Sequence, residues 1–134
     1  MFKISTKGDY GLLLLSALAK KAGNNVYVSL GEIAKEQNLS LAYLSQIIAP
    51  LKRAGLVVSR EGKTGGYKLA KPAGEITMMK VLETLEGPVI PVKCCNIKGA
   101  KCGIESQCAV KSTWLSAQKI LNDFLKGKTL ADLC

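Results

Sequence analysis

At 134 residues, 48% of them hydrophobic, the chain has the length of one ordinary domain and enough apolar material to bury a core without covalent staples. Nineteen Lys and Arg against ten Asp and Glu leave a net charge of +9, which points to a polyanionic partner. Histidine is absent, which closes the easiest catalytic routes and removes the commonest nitrogen ligand for metals, so no enzyme is expected.

The opening MFKIST lacks the pattern of a secretory signal, and the apolar run around Leu12 to Leu15 is far too short to span a bilayer; a cytoplasmic protein without a membrane partner is expected. Residues 6–21 read as a helix, with Tyr10, Leu13, Leu14, Ala17 and Leu18 at helical spacing. Asn24-Asn25 breaks it, and Val26-Tyr27-Val28 is short and β-prone. Ser29 and Glu32 form a capping-box pattern that opens a helix over about 30–36, with Ile33 and Ala34 inward. Gln37-Asn38-Leu39 is a turn. Ser40 then caps a second helix, 41–54, burying Leu44, Ile47, Ile48 and Leu51. Pro50 inside it should remove a backbone bond or bend the helix, and Gly55 suits its C-terminal cap.

Two helices joined by so short a turn make a helix-turn-helix. Residues 56–60 read as a strand, 61–66 as a basic glycine-rich turn and 67–69 as the returning strand, which completes a winged helix. A fourth helix covers 77–86, with Met78, Val81, Leu82 and Leu85 on one face and Gly87-Pro88 ending it. After a cysteine-rich loop, 88–108, a helix over 109–126 runs to Gly127. Val110, Trp114, Ala117, Leu121 and Phe124 alternate along it by four and three, the spacing of a coiled-coil seam. Leu115, Ile120 and Leu125 lie off that seam, giving a second apolar surface, and Thr129–Asp132 begins one more turn. The fold expected is mainly α: a winged helix-turn-helix over 1–75, with a small β-hairpin wing, then a C-terminal part over 76–134 with a long dimerisation helix.

A recognition helix presents short polar side chains near its N-terminus to the major groove. Here these are Ser40, Ala42, Tyr43, Ser45 and Gln46; Gln46 suits adenine, while Ser40 and Tyr43 suit a phosphate or a base edge. Lys52 and Arg53 are phosphate-type charges, and Tyr43 alternatively belongs to the core. On the wing, Arg60 and Lys63 stand by Gly65 and Gly66, and an arginine there suits the minor groove of double-stranded DNA. Lys3 and Lys7 add backbone contacts. The seam on 110–124 implies a homodimer on a palindromic operator.

Four of the five cysteines, Cys94, Cys95, Cys102 and Cys108, crowd one segment, KCCNIKGAKCGIESQCAVK. In a reducing compartment such a cluster more often binds metal than forms disulfides. Six residues separate Cys95 from Cys102 and five separate Cys102 from Cys108, matching neither zinc ribbons nor the common ferredoxin runs, so spacing alone names no metal.

The stretches STKGDYGLLLLSALA and LGEIAKEQNLSLAYLSQIIAPLKRAGLVVSREGKTGGYKLAKP, with the cysteine loop and CAVKSTW after them, resemble the Rrf family of bacterial winged-helix regulators over essentially the whole chain. The resemblance implies a homodimeric transcription regulator, with DNA contact at Ser40, Tyr43, Gln46 and Arg60; an acidic residue that the family's iron–sulfur regulators often carry is Ser45 here. It further implies an iron–sulfur cluster, [2Fe–2S] ahead of [4Fe–4S], on Cys95, Cys102 and Cys108. The histidine those members place three residues after the last cysteine is Lys111 here, and protonated lysine is not a ligand. Cys94 and Asp9 therefore contest the fourth place, Asp9 because nitric-oxide-sensing members use an aspartate at the matching position. Cys134 is a bystander or a reactive thiol. The alternatives are a cysteine-metabolism regulator without a cluster, and a small redox carrier.

Overall fold

Five α-helices and one antiparallel hairpin make up the described residues, which are 4–23, 26–88 and 109–133 of a computed structural model. Helix α1, Thr6–Lys20, starts where the Ser5 hydroxyl accepts the Gly8 N–H at 3.3 Å. It buries Leu14, Leu15, Ala17 and Leu18. Leu13, expected inward, is instead 36% exposed. The reason is that α1 packs on more than one neighbour, so its buried stripe is wider than a single spacing pattern and is centred one residue further on.

Helix α2, Leu30–Gln37, is capped by the Ser29 hydroxyl, which accepts the Glu32 N–H at 3.2 Å. Only half of the expected capping box forms. The Glu32 carboxylate turns away to Lys21 at 3.0 Å, where Glu36 also binds at 2.7 Å, and the two carboxylates hold the Lys21 ammonium above its usual pKa, Glu36 most strongly. The turn to the next helix uses Asn38 in the left-handed conformation, φ 54°. Helix α3, Leu41–Arg53, begins with the Ser40 hydroxyl accepting the Tyr43 N–H at 3.2 Å and continues through Pro50. It ends in a Schellman motif: the Gly55 N–H reaches the Lys52 carbonyl and the Leu56 N–H the Leu51 carbonyl, each at 3.0 Å, with Gly55 at φ 77°.

Strands β1, Val57–Arg60, and β2, Gly66–Leu69, pair from Val57 opposite Leu69 to Arg60 opposite Gly66. Val28 adds a bridge on the far side of β2, exchanging two 2.8 Å bonds with Tyr67. The β-prone stretch thus contributes one bridge rather than a strand. After a 3₁₀ turn at Ala73–Glu75, helix α4, Met78–Glu86, is capped by Thr77. Helix α5, Lys111–Gly127, begins two residues later than expected and includes Gly127. A 3₁₀ turn, Leu130–Leu133, closes the described chain. There the Asp132 carboxylate accepts the Thr129 N–H at 2.8 Å, and that bond holds its pKa below the usual value.

The main core draws on both sides of residue 75. Leu14, Leu15, Ile33, Leu44, Ile47, Leu51, Leu56 and Val57 pack with Ile76, Val81, Leu85 and Leu130. A smaller cluster, Met79, Leu82 and Leu125, joins α4 to α5. Gly11 lets α4 approach α1 closely, since a Cβ there would fall 2.1 Å from the Leu85 side chain.

Candidate nucleic-acid interface

The outer side of α3 carries Ala42, Ser45, Gln46, Lys52 and Arg53, all exposed. Tyr43 is half-buried, packs against the main core and meets the Tyr10 ring edge-on at 5.4 Å between centroids. The Ser40 oxygen is used as the helix cap, and the Ser45 hydroxyl donates to the Leu41 carbonyl at 2.9 Å. Each hydroxyl keeps spare hydrogen-bonding capacity for a ligand.

The wing stands beside this helix. Ser45 and Lys52 of α3 and Arg60, Gly65 and Gly66 of the wing line one open cleft. Two steric facts keep the wing thin. A Cβ at Gly65 would lie 2.1 Å from the Arg60 carbonyl oxygen, and one at Gly66, which has φ 145°, would lie 2.5 Å from the Val28 backbone. Lys63 projects at the turn and Lys7 lies exposed in the first turn of α1, away from that cleft; Lys3 lies outside the described residues. The Arg60 guanidinium sits with Cζ 4.2 Å from the Tyr27 ring centroid and donates from Nη2 to the Thr64 carbonyl at 2.9 Å.

A second cleft opens between α1, α4 and α5, lined by Ser5, Thr6, Tyr10, Met78, Leu82 and Phe124 among others, with exposed Asp9 at its edge. Cys94, Cys95, Cys102, Cys108 and Cys134 lie outside the described residues. Among the described residues no group of three or more His, Cys, Asp or Glu is gathered to hold a metal ion. The α5 seam is open to solvent: Val110 is 50%, Trp114 39% and Phe124 56% exposed, Ala117 is exposed, and Leu121 is half-buried. Of the residues off the seam only Leu125 is buried, and Ile120 is 70% exposed.

Two contacts escape sequence reasoning. Tyr27 lies under Arg60 and Lys68, and its only sequence signal is membership of a β-prone triplet. Glu86, the last residue of α4, accepts from the Ser5 N–H at 2.8 Å and from the Ser5 hydroxyl, across 81 residues of chain. No local pattern announces a pairing of that span.

Comparison with known proteins agrees with this architecture. The family model described as "Rrf2: Iron-dependent Transcriptional regulator" matches residues 4–134. The chain is 39% identical over 131 residues to the HTH-type transcriptional regulator CymR of Bacillus subtilis, covering 98% of this chain and 88% of that one. It is 38% identical over 134 residues to the HTH-type transcriptional regulator IscR of Cereibacter sphaeroides, covering 98% and 86%. The solved structure of the global cysteine regulator CymR of B. subtilis superposes with a TM-score of 0.81 over 99% of this chain and 96% of that one, at 38% identity. Among the described residues no helix is long and apolar enough to cross a membrane. With a helix-turn-helix, a glycine-thinned wing and relatives of this kind, the chain belongs to the Rrf2 family of DNA-binding transcriptional regulators.

Proposed function

We propose that this regulator acts as a homodimer on a palindromic site and reports the state of an iron–sulfur cluster held by its cysteine segment. The observation that carries the DNA part is the cleft that gathers Ser45, Lys52, Arg60, Gly65 and Gly66. Ser40, Tyr43 and Gln46 read the adjoining groove, while Lys7, Arg53, Lys63 and Lys3 take phosphates. The open α5 seam supports a second copy as its cover. Val110, Trp114, Ala117, Leu121 and Phe124 set the pairing, and half-sites one helical turn apart follow from the two-fold.

The donor chemistry fits a cluster. Thiolates are the usual ligands of iron–sulfur centres, and four of the chain's five cysteines fall in one segment. Cys95, Cys102 and Cys108 would hold it, with Cys94 or Asp9 fourth and a [2Fe–2S] centre ahead of [4Fe–4S]. When bound, it would supply a centre that redox change or small molecules alter. The protein's own contribution is a path from that segment to the DNA face. Glu86, just before it, ties the end of α4 to the start of α1, and α1 packs on α3. The resemblance to CymR favours a second reading, a cysteine-responsive regulator without a cluster.

Anaerobic purification decides between them, with iron, zinc and acid-labile sulfide analysis, a visible spectrum, and binding to DNA selected by the protein from a random pool. The expected result is coloured wild type with iron and sulfide, and a colourless Cys102→Ala variant with altered DNA affinity. Colourless, iron-free wild type with the affinity of Cys102→Ala would leave the cysteine-regulator reading in its place. Zinc without sulfide would replace the cluster by a zinc site.

A further inference from the structure

The wing's outer face holds a contact that the DNA-binding pattern did not include. In the hairpin register Val58 faces Lys68 and Arg60 faces Gly66, so Arg60 and Lys68 are diagonal neighbours on one face. Gly66 offers Arg60 no side chain to lean on. Val28 pairs with Tyr67, which brings the preceding residue, Tyr27, to the side of β2 that carries Lys68. The half-buried Tyr27 ring meets the Arg60 Cζ at 4.2 Å and the Lys68 Nζ at 5.0 Å from its centroid. The Nη2 bond to the Thr64 carbonyl at 2.9 Å gives the guanidinium a second fixed contact. Of the five guanidinium donors that bond uses one, and the rest remain for a ligand.

An arginine carries large rotamer entropy, and one left unsupported loses it only on binding. A ring that already holds the group removes that cost, because cation and π-face attract within about 6 Å. We propose that Tyr27 is a positioning residue for DNA binding. Its ring fixes the Arg60 guanidinium, with the Lys68 ammonium beside it, as a preorganised cationic pair for the backbone and minor groove next to α3. This rests on the reading of Arg60 as a DNA contact.

The test uses full-length protein and a duplex selected by the wild type from a random pool, with affinity read by fluorescence anisotropy at one fixed salt concentration. Tyr27→Leu should weaken binding by a few-fold to about tenfold. Tyr27→Phe, which keeps the ring, should bind like wild type. In an Arg60→Ala background Tyr27→Leu should add little, because the tyrosine works through that arginine. The Arg60 side-chain N–H resonance should show a ring-current shift in wild type and Tyr27→Phe that is lost in Tyr27→Leu. If Tyr27→Leu does not fold, Tyr27→Ile, a better strand former, takes its place. Three results overturn the proposal while leaving the DNA reading intact: Arg60→Ala weakened but Tyr27→Leu unchanged, Tyr27→Leu tighter than wild type, or equal losses from Tyr27→Leu with and without Arg60. Wild-type affinity in Arg60→Ala would instead remove Arg60 as a DNA contact, and the proposal would fall with it.

Discussion

The winged helix-turn-helix and α5 use similar residues to opposite ends. In α3 the apolar positions Leu44, Ile47, Ile48 and Leu51 are all buried within the chain's own core, and only polar or small side chains face outward along its middle. In α5 one residue, Leu125, is buried, while Trp114, Leu115, Ile120 and Phe124 lie open. Fully burying a large apolar side chain stabilises by about 1.5–3 kcal/mol, so α3 is held by its own chain and α5 mostly is not. The reading head finds its cover within the same chain, α4 and the final 3₁₀ turn included. The C-terminal helix is a surface whose energetics are completed by whatever covers it.

Substitutions that separate these two regions test the contrast. The largest effect should come from Trp114→Glu combined with Phe124→Glu. With those residues 39% and 56% exposed, the melting behaviour of the single chain should hardly change. Light scattering should show dimer turning to monomer, and affinity for a two-half-site duplex should fall on the order of 100-fold as avidity is lost. A variant that stays dimeric would move the dimer contact elsewhere. Next is Gly66→Ala, at φ 145° and 2.5 Å from the Val28 backbone. It should cost about 2 kcal/mol of stability in denaturant unfolding, and a neutral result would show a wing able to shift off Val28. The smallest effect is that of exposed Lys52→Ala. Stability should stay put while the slope of log affinity against log salt falls by about 1, and an unchanged slope would remove Lys52 from the phosphate contacts.

Much of the reading head was legible because its signals are local. Ser29 and Ser40 cap helices where a hydroxyl before an apolar run says they should, Thr77, read as the first residue of its helix, is the cap, and Gly55 adopts the left-handed conformation that a Schellman end requires. Gly65 is needed for a reason local to the turn, the Arg60 carbonyl 2.1 Å from where a Cβ would sit, whereas Gly66 is needed against Val28, outside the hairpin. What escaped depends on distant neighbours. Leu13 and Leu15 exchanged roles because α1 meets several elements at once. Glu32 abandoned its capping box for Lys21, a cation from another helix. Tyr27 acquired its cations only when β2 bridged to Val28. The residues proposed to face DNA were chosen from their positions on α3 and the wing, but the sharing of one cleft by Ser45, Lys52 and Arg60 is a tertiary fact.

The bond between Ser5 and Glu86 also sets an order of assembly. It joins residues 81 apart. The entropy of closing so long a loop must be met before the contact returns anything. The first turn of α1 precedes α4 in the chain, yet it gains this carboxylate partner only after α4 is complete. Asp9 already places one negative charge in that first turn, and Glu86 adds a second at the helix start. The start of α1 is therefore finished late, in step with the helix that leads into the cysteine segment.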